Sequence, residues 1–338
     1  MKIAIIGSRG TDSMESNLCE AFSFGEHDAR IFDIYDLKRF SFNSLNKVTH
    51  TLDKLCRAYS DNYDIQLFRT LFKKVKDFSP ELVICVYRFI HPLFVDLCKA
   101  QGAKVVHLNP DQMTTLEYQQ VFASNYDVWF VKDPYMYSFM RDNMHLNVKL
   151  YNEAFNVRLH KKPLCSKAEC ERRVGIDVMT YGTMYPYRCR MLKFVVESGI
   201  DIKVYGVAPH RFYNHKFDDV FQNKYITGEE KSKYLYGSKI IFNQMHFAEV
   251  EGVNCRFFET NGCGAFQLSD YRPILHELLP IDPELVSFRS IDEGIEKLKY
   301  YLNHDDERYD IAQKVYEHFL NNFTYDHLVN YILEQTYS

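Results

Sequence analysis

Strand-length runs of aliphatic and β-branched residues alternate with helix-length amphipathic stretches over about 1–155, and the alternation resumes from about 173. Between them, at 156–172, the chain turns polar and basic in NVRLHKKPLCSKAECER. Alternation of this kind implies right-handed βαβ crossovers and a parallel sheet covered on both faces. The sequence therefore predicts an α/β protein of two Rossmann-like domains, 1–155 and 173–310, joined by a linker at 156–172. A composition of 46% hydrophobic and 15% aromatic residues over 338 positions is ample for two cores.

The elements follow in order. KIAIIG is a short β-branched run ended by Gly7, and the polar SRGTDSMES leads into a helix through Leu18 and Phe22. ARIFDIYD repeats the strand signal, 63–77 has helical periodicity, and ELVICVY, AKVVHL, VWFV and NVKLY read as further strands. In the second half VGIDVMTYG, DIKVYG, SKIIFN and AFQLSD are strands, with helices over 188–198, near 229–236 and over 254–262. The closing 311–338 is an amphipathic helical pair with apolar positions three and four apart, expected to pack back toward the first domain. Ligands of such sheets bind beyond the carboxyl ends of the strands, which directs attention to the loops after Gly7, Leu108, Thr180, Tyr205, Asn243 and Leu268.

Bulk properties exclude several classes. A net charge of −4 gives no basis for general polyanion binding. Nine cysteines, an odd number without a CxxC pair, read as reduced structural thiols rather than a disulfide frame or a zinc site, Cys165 and Cys170 included. The start MKIAIIGSRG turns polar too soon for a signal peptide, and no charge-free apolar run approaches the ~20 residues that span a bilayer. The expectation is a cytoplasmic protein with at most a peripheral membrane contact.

Four segments could carry chemistry. In EGVNCRFFETNGCGAFQLSD, Glu251 and Glu259 have seven residues between them, Arg256 lies three before the second, and Asn254 opens the helix. A carboxylate there can accept two hydroxyls of a sugar or ribose and an arginine can neutralise a phosphate oxygen; alternatively, the acids only complement the helix dipole. VMTYGTMYPYRCR ends a strand at Gly182, passes Thr183 and starts a helix near Pro186 with Arg188 and Arg190 in its first turn. Cations oppose the macrodipole at that end, which suggests an external anion such as a diphosphate unless the arginines merely face solvent. In HLNPDQMTT, Asp111 lies just past a strand end, as a general base or as the cap of a helix near Thr114. Gly7 and Arg9, and Arg88 and His91 of VYRFIHP, follow first-domain strands on the expected acceptor side, and His246 lies in the loop leading to Glu251. Neither GxxxxGK[ST] nor GxGxxG occurs.

The order YGTMYPYR, KVYG, GEEKSKYLYGSKIIFN, EGVNCRFFETNGCGAFQLSD resembles the C-terminal donor domain of GT-B glycosyltransferases, nearest the CgeB-like group of the glycosyl transferases group 1 superfamily, over about 175–335. The resemblance implies that Glu259 holds the ribose of a nucleotide sugar, that Arg256 and Arg188 contact the diphosphate, and that Glu251 contacts the donor sugar of a retaining enzyme. Phage DNA β-glucosyltransferases are also similar in layout, and that likeness implies inversion with Asp111 as base. The chain departs from relatives in ETNGCGAF, where many carry a small apolar helix followed by Pro-Val. The expected function is sugar transfer from a nucleoside-diphosphate sugar, UDP-linked by preference, to a hydroxyl acceptor, with no essential cofactor or metal. The alternatives are a non-catalytic binding protein of the same fold and a nucleotide-sugar epimerase. The mild acidity counts against DNA as acceptor.

Overall fold

A computed structural model describes residues 1–37, 46–87, 89–114, 121–206, 209 and 215–338. The chain forms two compact units, Met1–Tyr151 together with Val329–Ser338, and Asn152–Leu328. The first unit contains β1 (Lys2–Gly7), α1 (Met14–Phe24), β2 (Asp28–Asp33), α2 (Asn46–Tyr59), α3 (Asp61–Phe78), β3 (Leu82–Cys85), α4 (Pro92–Ala100), β4 (Lys104–Leu108), β5 (Val128–Val131), α5 (Pro134–Asp142) and β6 (Val148–Leu150). Its strands form a parallel sheet in the order β2-β1-β3-β4-β5-β6. Ile3, Ile5, Ile6, Val83, Ile84, Val105 and Val106 are fully buried, as strands covered on both faces must be. Helix starts follow local chemistry: Ser13 and Ser60 cap α1 and α3, and Pro92 and Pro134 occupy the first turns of α4 and α5.

The second unit contains α6 (Lys167–Val174), β7 (Ile176–Tyr181), α7 (Pro186–Glu197), β8 (Ile202–Tyr205), α8 (Gly228–Gly237), β9 (Ser238–Asn243), α9 (Cys255–Gly262), β10 (Gln267–Asp270), α10 (Leu275–Leu278), β11 (Ser287–Phe288), α11 (Ile291–Tyr301) and α12 (Asp305–Asn322). The last helix, α13 (Tyr325–Tyr337), begins in this unit, and its residues from Val329 cluster with the first. The strands are parallel in the order β11-β10-β9-β7-β8. Val178, Ile240, Phe242 and Leu268 of the sheet pack with Leu192, Phe257, Phe258 and Phe319 of the helices.

The segment read as a linker is part of this second unit. Phe155 enters its core, with the ring lying where Gly262 has no Cβ, and its backbone bridges to Thr324. Glu171 of α6 meets the fully buried Arg308 at 2.9 Å, and Lys167 donates to the carbonyls of Tyr236 and Ser238. Part of the polarity of 156–172 therefore serves buried ion pairs, although Lys161, Ser166 and Arg172 are exposed. Cys165 and Cys170 form a disulfide, which overturns the expectation of reduced thiols for these two. Their spacing places both at the start of α6, within bonding reach. Among the described residues no helix is long and apolar enough to cross a membrane.

Candidate functional site

The strand order of the second sheet reverses at β7: the chain moves to β8 on one side and returns to β9 on the other. A crevice opens at such a switch point. Arg256, in the first turn of α9, fills it, with Nη1 donating to the Tyr181 carbonyl at 2.6 Å and Nη2 to the Gln244 carbonyl at 2.7 Å. Gly182 follows β7 with φ of 102°, a conformation that favours glycine, and packs directly against the Arg256 side chain. Gly206, ending β8 at φ 143°, is required, since a Cβ there would collide with the Gly182 carbonyl.

Arg188 of α7 is also buried, at 5% exposure, and its Nη1 donates to the Thr183 carbonyl at 2.7 Å. Its Nε has no hydrogen-bond partner among the described residues. Burial, then the neighbouring Arg256 charge, pushes the Arg188 guanidinium below its ordinary pKa. Asp270, at the end of β10, accepts from the Met245 N–H. Burial raises its carboxyl pKa against the downward pull of that N–H and of Arg272, Arg188 and Arg256.

One turn further along α9, Glu259 is held from two sides. Lys231 Nζ of α8 lies 2.9 Å from Oε1, and Tyr181 Oη donates to Oε2 at 3.1 Å. Lys231 is buried at 5% exposure, and burial lifts the Tyr181 phenol well above its usual pKa. Each carboxylate oxygen can accept twice, so the arrangement leaves Glu259 capacity for two more donors.

Beneath these groups runs a ladder of buried amides. Asn254 caps α9 by accepting from Phe257 N, exchanges two 3.1 Å hydrogen bonds with Asn243, and Asn243 donates to Gln267 at 2.8 Å. Gln244, at 1% exposure, has neither amide atom hydrogen-bonded among the described residues. The site thus combines two buried guanidiniums, a carboxylate held by a buried lysine, and an amide without a partner among the described residues, at one strand-end crevice.

The whole chain superposes on solved structures of the same layout. Sucrose-phosphate synthase from Thermosynechococcus elongatus matches 99% of this chain and 98% of its own at TM-score 0.68 and 12% identity. HepE of Anabaena, solved in complex with UDP and glucose, matches 100% of both chains at TM-score 0.66 and 11% identity. The fold is GT-B. Residues 188–334 match the family model described as glycosyl transferase-like. Spore protein CgeB of Bacillus subtilis (strain 168) is 26% identical over 181 residues, covering 49% of this chain. The match spans about half the length of that curated relative, 55%.

Within the second half of this GT-B chain the structure gathers Gly182, Arg188, Asn254, Arg256 and Glu259, with Thr183 contributing its carbonyl. His246 lies in the loop after β9, its backbone N–H donating to Glu249 and its Nδ1 accepting from Ala248 N. Glu251 is half-buried in the same loop, ahead of the Asn254 cap. Arg190 is exposed on the outer side of α7 and does not join Arg188. Asn254, which opens α9, is engaged by the fold through both polar atoms of its side chain.

In the first unit, Gly7 leaves room for Glu15, which accepts from Ser8 N at 2.9 Å. Arg9 is spent along β2, its backbone N–H on Asp33 and its guanidinium on the Ile31 carbonyl. His91 caps α4, accepting from Leu93 N at 3.1 Å, and pairs with Asp61 at 2.9 Å. Asp111 is half-buried in the turn after β4, where its carbonyl accepts from the Asn109 side chain. Arg88 lies outside the described residues, as do 115–120 after Thr114.

Sequence reasoning missed Tyr181, Lys231, Gln244 and Asp270. Lys231 carried one signal, its place four residues before Leu235 on the buried side of α8; Tyr181 was legible only as the end of a strand.

Proposed function

We propose that this protein is a glycosyltransferase that takes a sugar from a nucleoside-diphosphate sugar and passes it to a hydroxyl acceptor. The observation that carries the reading is the pair Arg188 and Arg256, two buried guanidiniums at a switch-point crevice whose terminal N–H groups donate to neutral main-chain carbonyls. Among the described residues neither guanidinium is hydrogen-bonded to a carboxylate, although the Asp270 charge is felt at both, and buried cations so placed favour an anion of more than one charge. A diphosphate fits, assisted by the N–H groups at the start of α9. Glu259, with two acceptor positions left, suits the vicinal hydroxyls of a ribose. The UDP and glucose bound by HepE support a UDP-sugar as the donor.

In this reading the two arginines stabilise the diphosphate as negative charge develops on the leaving oxygen, and no metal is needed for that task. Glu251 would contact the transferred sugar if the anomeric configuration is retained, whereas Asp111 would deprotonate the acceptor if it is inverted. Proton NMR of the product's anomeric signal separates the two. Calorimetry tests the donor site itself: Glu259→Gln should weaken UDP about tenfold, and the difference between wild type and variant should be smaller for 2′-deoxy-UDP, which keeps only the 3′-hydroxyl. Equal UDP affinity in wild type and Glu259→Gln would remove the ribose assignment.

A further inference from the structure

Four aromatic rings stand beside the arginine pair. Tyr185 and Tyr187 lie parallel with centroids 6.0 Å apart, and His246 meets both edge-on at 5.5 and 5.8 Å. Phe247 stacks on His246 at 4.4 Å and meets Tyr187 edge-on at 5.4 Å. Tyr185 is 42% exposed and Phe247 71%. A single exposed aromatic calls for no explanation. Here rings from two separate segments, the start of α7 and the loop after β9, converge on one surface at the strand carboxyl ends.

The rings are also fixed from below. The Arg188 guanidinium lies 5.5 and 5.8 Å from the Tyr185 and Tyr187 centroids, and Tyr187 Oη donates to the Met245 carbonyl at 3.3 Å. His246 is tied at both its backbone N–H and its Nδ1. A preordered surface of this kind loses little side-chain entropy on binding.

Its chemistry follows from its place along the chain. Tyr181 Oη reaches Glu259, the Thr183 carbonyl takes Arg188, and Tyr185 and Tyr187 flank Arg188. A nucleotide with its ribose at Glu259 and its diphosphate at the arginines would extend its far phosphate toward the rings. We infer that Tyr185, Tyr187, His246 and Phe247 form a stacking subsite for a pyranose ring, whose C–H face lies on the exposed aromatics. This rests on the nucleotide-sugar reading above. A pyranose combines an apolar C–H face with a hydroxylated rim, and an aromatic surface bordered by polar groups matches both.

The test compares wild type, Phe247→Ala and Tyr185→Ala by calorimetry with UDP, UDP-glucose, UDP-galactose and UDP-N-acetylglucosamine. A second arm follows saturation transfer to maltose on the UDP-loaded protein. UDP affinity should be unchanged, while at least one UDP-sugar weakens roughly three- to tenfold in Phe247→Ala; this outcome gives the ring to the donor. Loss of the maltose signal in Phe247→Ala with unaltered UDP-sugar affinities gives it to an acceptor glycan and still supports the subsite. If UDP binds all three proteins equally and neither arm responds, the stacking subsite is wrong while the nucleotide site stands. Failure of UDP to bind wild type would instead overturn the nucleotide reading and this inference with it.

Discussion

Replacing Lys231 by methionine nearly preserves side-chain length and removes the ammonium 2.9 Å from Glu259. The two side chains are 6% and 13% exposed, so water cannot easily take the place of the lost partner. Breaking one side of a buried pair costs about 3–5 kcal/mol. We therefore expect a loss of about 3 kcal/mol at pH 7. The double variant Lys231→Met with Glu259→Gln has no charge to strand and should return to within about 1 kcal/mol of wild type. Urea unfolding followed by far-UV circular dichroism reports both units, whereas fluorescence reports the first, because the single tryptophan is Trp129. The destabilisation should appear in the dichroism transition. A Lys231→Met protein within 0.5 kcal/mol of wild type at pH 7 (about the spread of ordinary surface substitutions), or a double variant no better than the single, would refute the argument that this ion pair holds Glu259 in place.

Arg256→Ala removes two bonds that tie β7 to β9 and should cost about 2–4 kcal/mol in urea unfolding, so its effect on nucleotide affinity has to be read at a temperature where the variant is fully folded. Gly206→Ala places a Cβ against the Gly182 carbonyl at positive φ and should cost at least ~2 kcal/mol, seen as a lower thermal midpoint. His107 is fully buried, and burial depresses its pKa to about 3. The folded value lies below the unfolded ~6.5, so stability is complete above that pH and is lost as pH falls, by about 2 kcal/mol at pH 5; tryptophan-detected unfolding should show this slope, and His107→Leu should flatten it. Denatured without reductant, the protein should expose the seven free cysteines to a thiol reagent and two more after reduction of Cys165–Cys170. Closing so short a loop is worth roughly 2 kcal/mol.

The strands were legible because buried parallel strands require runs such as KIAIIG and SKIIFN, whose β-branched residues carry their own signal. Arg188 and Arg256 drew attention because they stand in first helical turns after strands, and Glu259 because it follows one turn later on the same helix; their proposed roles came from the family resemblance rather than from spacing. The role of 156–172 was hidden, since Glu171 and Lys167 look like surface residues until Arg308, far along the chain, is brought to them. His91 and Arg9, expected on the acceptor side, also have structural partners that no local pattern showed, the N-terminus of α4 and the backbone of β2.

Taken alone, the sequence determined the two α/β halves and which charged groups stand in the strand-end loops, because periodicity and capping act over a few residues. Only the tertiary structure decided which of those groups share a crevice. Arg256 reaches two strands at once, Lys231 and Tyr181 converge on Glu259 from different elements, and the rings at 185, 187, 246 and 247 meet beside Arg188. Such meetings depend on the order in which strands join the sheet, and strand order is set by packing across the whole unit rather than by any local run of residues.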